Sequence, residues 1–138
     1  IKEIIVTSTG EKVPPADLEL AITADALFEQ AFVVGEQRPF IACVAVVHAE
    51  EWRQLAGQLG LDANDPASLA HPSAQRAALA RIEKLAAGFP RYAVPRAVHL
   101  VREPWTIENA FMTPTLKLKR THLMAHYAAA IEAMYQKR

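Results

Sequence analysis

The chain has 138 residues, 51% of them apolar, and its 15 basic side chains are balanced by 15 acidic ones. That length suits a single domain, and that apolar share builds a core and excludes a disordered chain. Zero formal charge excludes broad nucleic-acid binding, which shows as a basic excess, and no apolar run approaches the roughly 20 residues of a membrane span.

Cys43 is the lone cysteine, so no internal disulfide framework exists and a reducing, cytoplasmic setting is expected. Its neighbours Ala42 and Val44 mark it as a small buried hydrophobe rather than a nucleophile. The chain opens at Ile1, without an initiator methionine and already inside a strand. The expectation is a piece of a longer protein.

Taken in order, Ile4-Ile5-Val6 and Glu11-Lys12-Val13 flank Thr7-Ser8-Thr9-Gly10 and predict a small hairpin, with Gly10 supplying the unusual φ of its turn. Pro14 or Pro15 opens a helix to about Ala24, with Leu18, Ala21 and Ile22 as its apolar stripe and Glu19 as a helix-start carboxylate. Residues 27–35 and 40–47 are rich in β-branched and aromatic side chains and predict a hairpin at the heart of a sheet, the second strand covered on both faces. These residues are expected to be core without catalysis.

A helix follows from Ala49 to Gly60, with Trp52, Leu55, Ala56 and Leu59 on one stripe. Residues 61–66 break the pattern. A longer helix runs from Pro72 or Ser73 to Ala87, burying Ala74, Ala78, Leu79, Ile82, Leu85 and Ala86, with Gly88 suited to its stop. Residues 93–101 form a strand that joins the same sheet, and residues 103–109 form a loop. Thr121 caps a last helix through about Met134, with Leu123, Tyr127, Ala130, Ile131 and Met134 facing inward and Lys137 and Arg138 at its C-terminal end. The expected fold is α+β: a small, mostly antiparallel central sheet flanked by helices, plus an N-terminal two-stranded hairpin.

Candidate chemistry concentrates in Asn109–Arg120. In an extended segment, alternation puts Lys117 and Lys119 on one face and Leu116, Leu118 and Arg120 on the other. The leucines would anchor the strand while the ammonium groups face an anion. Pro114 stiffens the approach by fixing its own φ and biasing Thr113 towards extended geometry. Two readings of this pattern stand: a solvated basic edge strand, and a lysine directed at phosphate.

Other candidates are weaker. His122 and His126 lie four apart on one helix but lack a third metal ligand nearby in sequence. His48, His71 and His99 are scattered and read as surface or satisfied histidines. Neither a Ser/His/Asp or Cys/His set in motif context nor a Gly-rich phosphate loop occurs.

Thr113-Pro114-Thr115-Leu116-Lys117-Leu118-Lys119-Arg120 resembles the last signature of the adenylate-forming enzymes, in the form associated with long-chain fatty acyl-CoA synthetases. Lys117, Leu118 and Arg120 match its lysine, aliphatic and arginine positions. Leu116 stands where the family usually carries glycine. Residues 1–19 resemble the family's hinge motif after its Gly-Arg, with Lys2 on the hinge position.

The resemblance implies a C-terminal lid domain of an ATP-dependent fatty acid–CoA ligase, spanning residues 1–138, with the adenylation domain lying outside this chain. It implies Lys117 as the catalytic lysine, Gly10 in the loop that lines the CoA channel, and Thr113, Pro114, Thr115 and Arg120 as loop supports. It further implies ATP, Mg2+, a fatty acid and CoA as cofactor and substrates of the whole enzyme, peripheral membrane association of that enzyme, and no activity for this domain alone. The alternatives are a carrier-protein-loading ligase of the same family and a free-standing module. The latter would bind an acidic partner or membrane headgroups through the Lys117–Arg120 edge.

Overall fold

The computed structural model describes residues 3–136. Strands β1 (Ile5–Val6) and β2 (Lys12–Val13) form a short antiparallel hairpin, followed by helix α1 (Pro15–Ile22) with proline at its first position. Strands β3 (Phe28–Val34), β4 (Ala42–Val47) and β5 (Ala97–Val101) make a three-stranded sheet in the order β3-β4-β5. β3 and β4 pair antiparallel, and β4 and β5 pair parallel. The expected α+β architecture is therefore present, with one parallel pair in the central sheet.

A parallel pair needs a long crossover. Here it contains α2 (Ala49–Leu59), a 3-10 turn (Pro66–Ala70), α3 (Pro72–Leu85) and a second 3-10 turn (Arg91–Ala93). The helical length between the central strands is thus the connection that allows β5 to run alongside β4. Helix α3 stops two residues before the expected Ala87, at a cap on Ala86, so Gly88 lies beyond the stop.

All six β4 residues are buried, because both faces of the sheet are covered. Their side chains alternate between two cores. Cys43, Ala45 and Val47 join α1, α2 and α3 through Leu18, Ile22, Trp52 and Ile82. Ala42, Val44 and Val46 join the other core with Phe32, Trp105, Leu123 and Ile131. The β1–β2 hairpin, through Ile5 and Val13, belongs to the first core. Met112 and Leu118 of the lysine segment pack on the second.

The last helix differs from expectation. It begins at Arg120 and comprises α4 (Arg120–His126) and α5 (Ala128–Gln136), with Tyr127 between them. Lys119 occupies the N-cap without a side-chain cap bond, and Thr121 lies inside the helix rather than capping it. The break at Tyr127 keeps the helical bonding, since Tyr127 N–H donates to Leu123 O at 3.0 Å and Ile131 N–H to Tyr127 O at 2.8 Å. Leu123, Ile131 and Met134 are buried as the pattern predicts.

Candidate active-site lysine and its supports

Residues 113–117 form a tight hairpin tip. Thr113 N–H donates to Lys117 O at 2.8 Å, and Leu116 N–H donates to Thr113 O at 2.8 Å. Lys117 N–H donates to Thr113 Oγ1 at 3.0 Å, and the Thr113 and Thr115 hydroxyls lie 3.1 Å apart. Pro114 occupies the first loop position, where its fixed φ suits a tight turn. Leu116 is left-handed at φ +63°. Such a conformation costs a non-glycine residue about 1–2 kcal/mol.

This geometry corrects the expected alternation. Leu116 does not anchor the strand: its left-handed turn leaves it 67% exposed. Leu118 alone anchors it, bridged to Met112 and packed on the second core. Lys117 is exposed and Lys119 half-buried. Thr113 thus engages both backbone groups of Lys117, while among the described residues its ammonium has no ion-pair partner.

The hairpin is clamped at both ends. On the C-terminal side, Arg120 donates to Glu19 Oε2 at 2.8 Å and to Glu19 Oε1 at 2.7 Å. Glu19 Oε2 also accepts Val33 N–H of the edge strand at 2.8 Å, and Glu3 lies 3.8 Å from Arg120 Nε. Hydrogen bonding to Glu19 raises the guanidinium's pKa further, against the effect of its burial. Such two-pronged, charge-assisted pairs fix direction as well as distance. Glu19 is therefore a buried strut on the inner face of α1, more than the helix-start carboxylate its position suggests.

On the N-terminal side, Gln30 sits beside the register shift in β3, where its amide reaches across to the loop. Its Oε1 accepts Trp105 N–H at 2.8 Å, and its Nε2 donates to Trp105 O at 2.9 Å. Trp105 is buried, and its Nε1 donates to Tyr127 Oη at 2.9 Å. Asn109 closes the intervening loop: its Oδ1 accepts Thr106 N–H at 2.9 Å, and its own N–H donates to Thr106 Oγ1 at 3.0 Å. Gln30, Trp105, Asn109 and Tyr127 are supports that sequence reading did not single out. The Asn109–Thr106 spacing was the one local signal available for them.

Gly10 closes the other tip at φ +89°. Gly10 N–H donates to Thr7 O at 3.0 Å, and Thr7 N–H to Glu11 O at 2.9 Å. The Thr7 and Thr9 hydroxyls both donate to Glu11 Oε1, which holds its carboxyl below the ordinary value. This tip is docked on the β3–β4 turn, where Ser8 N–H donates to Arg38 O at 2.9 Å and Gln37 N–H to Val6 O at 2.8 Å. Lys2, the expected hinge, lies outside the described residues, as do Lys137 and Arg138.

The remaining candidates have structural positions. Cys43 is fully buried, and its thiol is pushed up to about 12, chiefly by burial. His48 and His71 accept helix N-terminal N–H groups as caps of α2 and α3. His99 packs edge-on against Tyr127, and burial holds it below the ordinary histidine range. His126 lies tilted against Phe111 at 4.9 Å and edge-on to Tyr127 at 4.6 Å. Among the described residues no group of three His, Cys, Asp or Glu side chains could hold a metal ion, and no helix is long and apolar enough to cross a membrane.

The chain is similar to known proteins along its whole length. Long-chain-fatty-acid–CoA ligase FadD15 of Mycobacterium tuberculosis is 33% identical over 148 residues, covering 99% of this chain and 23% of the relative. Peroxisomal long chain acyl-CoA synthetase 7 of Arabidopsis thaliana is 30% identical over 138 residues, covering 97% of this chain and 20% of the relative. The chain therefore spans about a fifth of the length of these relatives. Among solved structures, the A domain of a carboxylic acid reductase from Segniliparus rugosus superposes with a TM-score of 0.80 at 26% identity, over 97% of this chain and 20% of that one. That structure was determined in complex with AMP and a co-purified carboxylic acid. The profile of the family described as AMP-binding enzyme C-terminal domain matches residues 2–138, and the chain belongs to that family.

Proposed function

We propose that residues 1–138 form the C-terminal lid of an ATP-dependent long-chain fatty acid–CoA ligase, and that Lys117 is its catalytic lysine. The observation that carries this reading is the state of Lys117: exposed, without an ion-pair partner among the described residues, and closing the turn of a hairpin clamped at both ends. A lysine serving only as a solvated edge charge needs no such frame. The long-chain ligase relatives supply the reaction class.

In the first half-reaction a fatty carboxylate oxygen attacks the α-phosphorus of ATP, and pyrophosphate leaves. Two anions must meet, so a cation between them lowers the barrier. The Lys117 ammonium bridges carboxylate and α-phosphate and stabilises the charge that develops between them. Arg120 is bound to Glu19 and stays out of the chemistry, positioning the hairpin. Lys119, at the start of α4, adds only positive field.

In the second half-reaction the thiol of CoA attacks the acyl carbon and AMP departs. Lys117 withdraws, and the Gly10 turn enters to line the pantetheine channel. Lys2 serves as the pivot. The Gly10 hairpin packs on one core through Ile5 and Val13 and the lysine hairpin on the other through Met112 and Leu118, which supports use by rotation of the domain. Mg2+ would enter with the nucleotide, whose phosphates supply oxygen ligands. The nucleotide and acyl pockets lie in the larger domain, and this domain alone is inactive.

The test is a half-reaction assay on the full-length enzyme carrying Lys117→Ala. Pyrophosphate release from ATP and fatty acid should be abolished, while thioester formation from supplied acyl-adenylate continues. Equal loss of both half-reactions would sink the assignment. Unimpaired adenylation would leave Lys117 a solvated edge charge.

A further inference from the structure

The two tips share one backbone frame. In Thr7–Glu11 and in Thr113–Lys117, the first threonine N–H donates to the fifth residue's carbonyl, and the fourth residue's N–H donates to the first threonine's carbonyl. In both, the fifth residue's N–H donates to the first threonine's Oγ1, at 3.2 Å from Glu11 and 3.0 Å from Lys117. In both, the fourth residue is left-handed: Gly10 at +89° and Leu116 at +63°.

The frame accepts glycine at that position, and glycine visits the left-handed region without steric cost. Leucine does not. Leu116 therefore gives nothing to the turn that glycine would not give better. It gives nothing to the core either: it is 67% exposed and, unlike Leu118, belongs to neither apolar cluster. A bulky apolar side chain is held in an unfavourable conformation, facing solvent, one residue before Lys117.

We propose that Leu116 is a docking side chain. When Lys117 is delivered, Leu116 seats on an apolar surface of the larger nucleotide-binding part of the enzyme and sets the depth to which the ammonium enters. The proposal rests on the reading of Lys117 as the adenylation lysine. Among the described residues neither core takes Leu116 in. About four fifths of the length of the matched relatives lies outside the stretch that this chain covers, and that is the body the tip must meet. Apolar burial is the interaction a leucine can offer there. Leu116 acts through Lys117 and is a positioning residue, not a catalytic one.

The test uses the full-length enzyme with ATP and palmitate, following pyrophosphate release without CoA, and separately thioester formation from supplied palmitoyl-adenylate. Leu116→Gly and Leu116→Ser should each slow adenylation by about tenfold, the scale of a modest misplacement of a reacting group, and leave thioester formation unchanged. Leu116→Met should adenylate at the wild-type rate. Leu116→Gly should unfold at no lower a temperature than wild type, which separates lost docking from lost folding. Wild-type adenylation by both Leu116→Gly and Leu116→Ser, alongside an inactive Lys117→Ala, overturns the docking role and leaves the lysine assignment standing. Slowing in Leu116→Gly alone assigns the effect to loop flexibility and also overturns it. Adenylation by Lys117→Ala removes both assignments together.

Discussion

Arg120 and Glu19 stand 101 positions apart in the chain and meet through two hydrogen bonds of 2.8 and 2.7 Å. The same carboxylate holds Val33 N–H on the edge strand. One acidic side chain thus ties α1, β3 and the start of α4 together. Glu19→Ala would leave a half-buried guanidinium with only the exposed Glu3, 3.8 Å away, and a buried N–H unpaired. Such losses cost roughly 2–4 kcal/mol. Urea unfolding of the domain should show that drop. Arg120→Lys should recover only part of the stability, because an ammonium cannot make the paired contact.

Gln30→Ala should act at the other clamp. It removes both partners of the Trp105 backbone, at a cost of about 1–3 kcal/mol. Beyond stability, a looser hairpin entry should slow adenylation in the full-length enzyme more than thioester formation. Equal slowing of both half-reactions would show that Gln30 supports the fold without directing Lys117.

Gly10→Ala meets no steric obstacle, since nothing lies within 4 Å of the added Cβ. Only the left-handed backbone opposes it, by about 1 kcal/mol. Stability should fall slightly. The thioester step should fall further, with adenylation unaffected, if the turn lines the pantetheine channel. Comparing the two half-reactions checks this.

His99 carries a pH signature. Burial holds its folded-state pKa below the ordinary 6.5, so the unfolded chain binds the proton more readily. Above the unfolded value both states are neutral and stability is full. As the pH falls below it, protonation favours the unfolded chain, and the loss is complete once the folded value is passed. Thermal unfolding between about pH 7.5 and about pH 5 should therefore drop more steeply for wild type than for His99→Gln. Parallel slopes would show that His99 is not the group responsible.

The lysine motif, the Gly10 turn, the β3–β4 hairpin with its covered second strand and the stripes of α2 and α3 were legible in the sequence, because each depends on neighbours within a few positions. The role of Glu19 was not, because its partner follows 101 residues later and the helical pattern shows only a carboxylate near a helix start. Gln30 was hidden inside an apolar strand; its purpose comes from a register shift that side-chain alternation does not encode. Leu116 and Leu118 were read as equals on an extended strand. The left-handed turn at Leu116 separates them, sending one to solvent and one to the core. The missing glycine was visible; that its absence leaves a strained backbone was not.

The β4 strand has a mechanical consequence. With Cys43, Ala45 and Val47 filling one side and Ala42, Val44 and Val46 the other, it is the midline of a wall packed solid in both directions. Close-packed interiors resist compression and transmit strain. Under the proposed lid role, such a wall would turn as one block, carrying both tips together.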